Sequence, residues 1–336
     1  MVWLKFIACL IIILFAGTRL ARYGDAIAEK TGWGRIWVGL IFLAFITSSP
    51  ELVTGVSSVA LVRLPDLGLG TLLGSCMFNL SILALLDILY RPAPILSRAS
   101  SRHMATAGLG ILLIAFAAGG ILAGEKLSGL ALGWVGIPSI ILVIVYLVAM
   151  RLVFRFERNH PMPQLEIAPP QYAKIPTRTV CLRFILAAIA VIGAGIWLSF
   201  VGDEIATTTG WGTSFVGSLF LAIGTSLPEL VVTVAAIRLG AVDLAVADIL
   251  GANMLDITNV FAVDLFYTKG PVLSSASSAH LITATLVAVM SLLVIIGLRF
   301  RQNRKTFGVI SWYALALIVL YILGAYALFT SGMGLG

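Results

Sequence analysis

Three acidic residues, Glu51, Glu229 and Asp256, stand inside long apolar runs. A charged side chain at the centre of a membrane span costs about 2.5 to 3.5 kcal/mol on the insertion scale, so each needs a partner or a ligand. Glu51 closes the stretch TSSPE and Glu229 closes GTSLPE. Pro50 and Pro228 lack the backbone N–H that would bond the carbonyls of Ile46 and Gly224, and each ring disturbs the turn before it. The pattern predicts two broken helices offering free carbonyl oxygens, from about Ala44 to Thr47 and from Ala222 to Thr225, each beside a glutamate. Hydroxyls of Thr47, Ser48, Thr225 and Ser226 add further oxygens. The plainer alternative is a proline-kinked helix whose hydroxyls bond its own backbone.

Two polar stripes accompany these breaks. Thr71, Ser75 and Asn79 follow the spacing i, i+4, i+8, as do Asp248, Ala252 and Asp256, so each set lines one helix face. Ser, Thr and Asn in membrane helices commonly join helices together. Asp256 is harder to explain that way, and its equivalence with Asn79 predicts that both face one centre. The chemistry such a set could perform is the binding of a hard cation. Calcium takes about six to eight oxygen ligands at about 2.3 to 2.6 Å, whereas no intramembrane His or Cys cluster favours zinc or copper. His103, His160 and His280 lie near the ends of apolar runs and read as interfacial residues. Cys9, Cys76 and Cys181 show no metal-ligand spacing.

The elements that must position these residues are membrane helices. Of 336 residues 60% are hydrophobic and only 11% charged, with a mean hydropathy of +1.07, against about 25% charged in a soluble domain. A spanning helix needs about 20 apolar residues, and the chain divides into spans at 3–21, 36–62, 67–89, 104–123, 128–150, 180–200, 212–237, 244–267, 279–298 and 307–329. These runs are too long for the strands of an outer-membrane barrel. The fold class expected is an all-α polytopic membrane protein of about ten transmembrane helices. No room is left for a soluble catalytic domain, and neither a Ser and His pairing in register nor a paired-aspartate motif occurs, so no enzyme is expected. The net charge of +7 sits at the ends of the spans. Alternating the joints leaves only Lys5, Arg63, Lys126 and Lys269 on one side, which the positive-inside rule makes the outer one. Both termini are then outside a cell membrane, and the basic residues meet lipid headgroups rather than nucleic acid. No obligate protein partner is evident.

The chain repeats itself. Residues 31–56 align without gaps on residues 209–234, at the offset that relates Glu51 to Glu229. One deletion later, GSCMFN at 74–79 pairs with GANMLD at 251–256, and Asp87 and Tyr90 with Asp264 and Tyr267. The proline-rich stretch 151–179 reads as a cytoplasmic linker between a first five-helix repeat, 1–150, and a second, 180–336. An odd number of spans per copy inverts the second copy. Inverted repeats with a binding site at the midplane are a recurrent architecture of secondary transporters.

At these residues the chain resembles the sodium/calcium exchanger family, within the calcium/cation antiporter superfamily. The resemblance implies a central diamond of ion sites in which Glu51 and Glu229 bind calcium with the carbonyls of Thr47 and Thr225, and Asn79 and Asp256 complete the middle. It implies one sodium site from Ala44, Ser48 and Ser75 and another from Ala222, Ser226 and Ala252. The expected activity is export of calcium against sodium by alternating access, with spans 1 and 6 moving and Gly17, Gly24, Gly193, Gly195 and Gly202 permitting it. A proton-coupled or potassium-dependent antiporter is the alternative. Calcium and sodium are cargo; no cofactor is implied. The setting such a resemblance implies is a bacterial inner membrane. Several positions depart from the family pattern: Ile46 for glycine, Ser49 for an apolar residue, Cys76 for asparagine, Ala252 for serine and Asp248 for asparagine. Asp248 either offsets the missing hydroxyl at position 252, makes a proton- or potassium-linked site, or is a solvated carboxylate at the cytoplasmic mouth.

Overall fold

The computed structural model describes residues 1–31, 44–127, 129–159 and 175–332. Its main helices are α1 (Val2–Thr31), α2 (Ser49–Ala60), α3 (Pro65–Leu89), α4 (His103–Ala123), α5 (Ile137–Asn159) and α6 (Thr177–Thr209) in the first part of the chain. After them come α7 (Thr213–Thr225), α8 (Leu227–Arg238), α9 (Val242–Thr258), α10 (Val260–Phe266), α11 (Ala279–Arg299) and α12 (Trp312–Gly332). Among the described residues seven stretches are long and apolar enough to cross a membrane, and α7 with α8, bent by 44°, would make an eighth. The apolar part of α5, Ile137–Val153, is shorter. Residues 36–43 of the second expected span, Arg35 and His160 lie outside the described residues.

Two elements depart from the expected spans for one reason: hydropathy marks the bilayer, not the helix. α1 has 30 residues and α6 has 33, about 45 to 50 Å of helix against about 30 Å of hydrocarbon. Both continue through charged residues, Arg19 and Arg22 in one and Asp203 and Glu204 in the other, because none of these breaks a helix. The expected span at 128–150 starts late, since Ala131–Leu132 and Val135–Gly136 pair as a small antiparallel hairpin before α5.

Burial orders the bundle. In α3 and α9, 72% of the apolar window is buried, against 39% in α1 and α6 and 22% in α12, so α3 and α9 form the middle and the others face outward. Gly70 and Gly74 let α3 touch α7 backbone to backbone: a Cβ on Gly70 would stand 3.0 Å from the Ser214 carbonyl oxygen, and one on Gly74 would collide with Ser218. This is the small-residue packing that membrane helices use for close approach. A π-helical turn at Gly217–Leu221 reshapes α7 at that crossing.

Repeat-related residues make repeat-related bonds, and these fix the inversion. The Asp87 carboxylate at the end of α3 accepts the Ile95 amide at 2.9 Å, the Tyr313 hydroxyl at 2.6 Å, and the Ser311 hydroxyl and amide at 3.0 and 2.9 Å. Asp264, its equivalent, accepts the Val272 and Gly136 amides at 2.6 and 2.8 Å. At the starts of the same helices, Asp66 accepts the Ser277 amide at 2.7 Å and faces His280 Nε2 at 3.0 Å, while Asp243 accepts the Ser100 amide at 2.6 Å and faces His103 Nε2 at 2.9 Å. Each aspartate of one copy thus holds the histidine of the other. Because α4 begins beside the end of α3, pinning the start of α9 to the start of α4 makes α3 and α9 run in opposite directions. His103 and His280 are therefore buried joints, 8% and 0% exposed, and not interfacial residues. The sequence signal was present: His103 and His280, like Asp66 and Asp243 or Ser100 and Ser277, share the offset of Asn79 and Asp256.

Replacing Asp87 with alanine strands buried donors on two segments, at Ile95 and at Ser311 to Tyr313, and a loss of about 3 to 5 kcal/mol is expected, read as a large drop in melting temperature in detergent. Gly74→Leu is expected to prevent folding, since backbone stands where its side chain would go.

Candidate functional site

The two breaks have one geometry. Ser48 has φ −81° and ψ 7°, and Ser226 has φ −85° and ψ 10°, outside the values of a continuing helix. Pro50 and Pro228 then sit in the first turn of α2 and α8, where a missing N–H costs nothing. Glu51 and Glu229 follow in the same turns, at the helix ends whose dipole favours a carboxylate. Both are fully buried.

The serines of the breaks cross between repeats. Ser226 Oγ donates to Glu51 Oε1 at 2.8 Å, and Ser48 Oγ donates to Glu229 Oε1 at 3.4 Å. Each carboxylate keeps its second oxygen, Oε2, buried and without a partner. Asn79 and Asp256 are fully buried with both side-chain heteroatoms unpartnered. Native proteins rarely leave such atoms unsatisfied, and a concentration of them calls for a ligand. Among the described residues no three His, Cys, Asp or Glu side chains come together to hold a metal. A cation here must therefore combine two carboxylates with neutral oxygens, which suits a hard ion.

Several sequence expectations change in detail. The threonines follow the plainer reading: Thr47 Oγ1 donates to the Ala44 carbonyl at 3.1 Å, and Thr225 Oγ1 to those of Leu221 and Ala222 at 3.0 and 3.2 Å. The Ala44 and Ala222 carbonyls also accept the amides of Ser48 and Ser226, at 2.9 and 3.1 Å, so they are not free. Ser49 Oγ takes the Ile46 carbonyl that Pro50 released, at 2.7 Å, a role that Leu227 cannot fill at the second break.

The flanking groups are also distributed crosswise. Ser75 meets not Ala44 and Ser48 but Thr225, 3.3 Å away in the other repeat. Its counterpart Ala252 belongs to the half-turn of α9 that lies against the first break, where a Cβ on Gly251 would be 3.7 Å from Ala44 Cβ. The inverted axis explains the exchange, since each stripe faces the break of the opposite copy. Near that axis Asn253 Nδ2 donates to the Cys76 carbonyl at 3.1 Å and the Cys76 thiol to the Asn253 carbonyl at 3.5 Å. Asp248 is 2% exposed with both oxygens unpartnered, so it is no solvated carboxylate.

The long outer helices seat on the breaks through glycine. A Cβ on Gly17 of α1 would lie 2.5 Å from Pro228 Cγ, one on Gly24 would strike Ile46, and ones on Gly195 and Gly202 of α6 would lie 3.0 and 2.8 Å from Val53 and Leu221. Gly193 meets nothing.

The sequence matches the family model described as sodium/calcium exchanger protein over residues 1–155 and 179–330. The inner membrane protein YrbG of Escherichia coli (strain K12) is 26% identical over 84% of this chain and 84% of its own. The putative antiporter CaxA of Alkalimonas amylolytica is 23% identical over 88% and 90% respectively. The sodium/calcium exchanger MaX1 of Methanosarcina acetivorans is 33% identical, over 42% of this chain and 38% of its own. Among solved structures, the sodium-calcium exchanger NCX_Mj soaked with sodium and strontium superposes with a TM-score of 0.62 over 97% of this chain and 99% of that one, at 21% identity. A polytopic helical membrane protein with two copies of the signature break, matched along both halves, belongs to the sodium/calcium exchanger protein family.

Proposed function

We propose that the chain exchanges calcium for sodium across a cell membrane by alternating access, with Glu51 and Glu229 sharing the divalent ion. One observation carries this reading: two buried glutamates from opposite repeats each hold one oxygen to the other repeat's serine and leave the second oxygen unpartnered. Two ionised glutamates match one divalent ion in charge. Thr47 and Thr225 contribute backbone carbonyls, and Asn79 and Asp256 neutral or charged oxygens at the middle of the diamond. Ser75, Thr225 and Ser226 form one sodium site and Thr47, Ser48 and Ala252 mark the other, with the Ala222 and Ala44 carbonyls beside them already hydrogen-bonded.

The physics of exchange follows from burial. Removing both ions leaves two carboxylates uncompensated in a medium of low dielectric, at a cost of several kcal/mol each. The empty protein therefore does not readily switch sides, and sodium entering the site must replace calcium leaving it. Support also comes from relatives: MaX1 is a sodium/calcium exchanger, and NCX_Mj, soaked with sodium and strontium, is a sodium-calcium exchanger. α1 and α6, seated over both breaks by glycines, are the elements placed to slide. The stretch 151–179 is read as the cytoplasmic linker between the two five-helix copies, with both termini outside, and an inner membrane is the setting. Ala252, which removes a hydroxyl from one flank, keeps a proton- or potassium-driven variant as the second reading.

Radioactive calcium uptake into liposomes under an outward sodium gradient, beside matched proton and potassium gradients, tests this. Glu51→Gln and Glu229→Gln are each expected to lower sodium-driven uptake at least tenfold. Uptake that follows only the proton or potassium gradient selects the second reading, and no calcium flux under any gradient rejects both. Ser226→Ala is expected to weaken calcium binding more than Ser48→Ala, because its bond to glutamate is the shorter one.

A further inference from the structure

The two polar stripes occupy equivalent places in an inverted pair, yet they differ in charge. α3 presents Thr71, Ser75 and Asn79, all neutral; α9 presents Asp248, Ala252 and Asp256. Thr71 is satisfied within its own helix, its hydroxyl donating to the Leu67 carbonyl at 2.9 Å. Asp248 has no such bond. Both of its oxygens are buried and unpartnered, and among the described residues no Lys, Arg or His pairs with it. An ionised carboxylate so placed is a large electrostatic liability unless it takes up a proton or a cation stands beside it.

Its position narrows what that could be. Asp248 stands one helical turn before Ala252 on the face of α9 that lies against the first break, whose Ser48 is bonded to Glu229. It is nevertheless not gathered with Glu229 and Asp256 into a three-carboxylate cluster. Asp248 therefore marks a point separate from the one that Glu51 and Glu229 share. Four buried carboxylates surround the centre, Glu51, Glu229, Asp248 and Asp256, and the first two suffice for a divalent ion. The excess charge is on the flank where α9 meets the first break and where Ala252 offers no oxygen.

We propose that Asp248 holds a monovalent alkali cation on the Glu229 flank, apart from the divalent site, supplying by charge what position 252 lacks as a ligand. This deepens the exchange reading and rests on it only for the identity of the central ion. The flank opposite, with Ser75 and Thr225, has the uncharged Thr71 where this one has Asp248. A carboxylate contact raises affinity for a small cation and ties its release to movement of α9's neighbours.

Equilibrium binding of radioactive sodium and of radioactive potassium to the full chain in detergent, together with radioactive calcium binding, tests the assignment. Two variants are compared with the parent: Asp248→Asn, and Asp248→Thr, which places there the residue found at position 71. Both are expected to lose at least tenfold in affinity for sodium or potassium while calcium binding stays within threefold. Whichever alkali ion shows the loss identifies the occupant. Unchanged binding of both ions overturns the proposal, as does parallel loss of calcium, which would place Asp248 in the divalent site. A change confined to the pH dependence of transport, with alkali binding intact, overturns it in favour of a proton. If neither variant folds, Glu51→Gln decides, since sodium or potassium should still raise its melting temperature and failure to do so rejects the site. Glu229→Gln separates the two readings: calcium binding that survives in it removes the divalent assignment and leaves the alkali result to be judged by itself.

Discussion

Burying unpaired carboxylates in the middle of a membrane bundle is the constraint from which the rest of the structure follows. Glu51 and Glu229 can occupy that position because each is held by a serine from the opposite repeat, through Ser226 and Ser48. One oxygen of each is thereby satisfied, and the other is left for a ligand. That arrangement requires two helix breaks to meet, and it goes with α3 and α9 being the most buried of the long apolar helices. Glycine at 70 and 74 provides the close crossing with α7. The exposed apolar faces of α1, α6 and α12 are the lipid side of the same arrangement.

Inversion is enforced by specific bonds rather than by overall shape. Asp66 with His280 and Asp243 with His103 tie the start of each central helix to the other copy, and Asp87 and Asp264 cap the loops at the opposite ends. Charge-assisted bonds of this kind are strong where water is scarce. They anchor α3 and α9 as a frame, while α1 and α6 touch the breaks mainly through glycines and apolar side chains. A rigid frame with a smoothly seated pair of outer helices is the mechanical form that the alternating access proposed above would use.

Against this symmetry the differences between copies stand out. The Ile46 carbonyl is capped by Ser49, but its counterpart Gly224 faces Leu227. Cys76 and Asn253 bond each other across the axis although they differ in chemistry. Three of the four central carboxylates belong to the second copy. A duplicated scaffold can therefore present two chemically different flanks to ions of different charge without any change of fold.

Much of this protein was legible in its residues. Charge content dictated a membrane bundle, the matched TSSPE and GTSLPE segments dictated paired breaks, and Pro50 and Pro228 located them, because each of these is a local property of the chain. The stripes through Asn79 and Asp256 were likewise readable, helical spacing being fixed by backbone geometry. Helix lengths were not, since apolar composition reports where lipid begins and α1 and α6 extend past it. Nor was the partnership of Ser75 with Thr225, of serine with the distant glutamate, or of each histidine with an aspartate in the other copy. Those depend on where the inverted axis runs and on which atoms the backbone has already satisfied. The residue types and their spacing pointed to a hard-cation site; only packing of one copy against the other decided which oxygens are left without a protein partner.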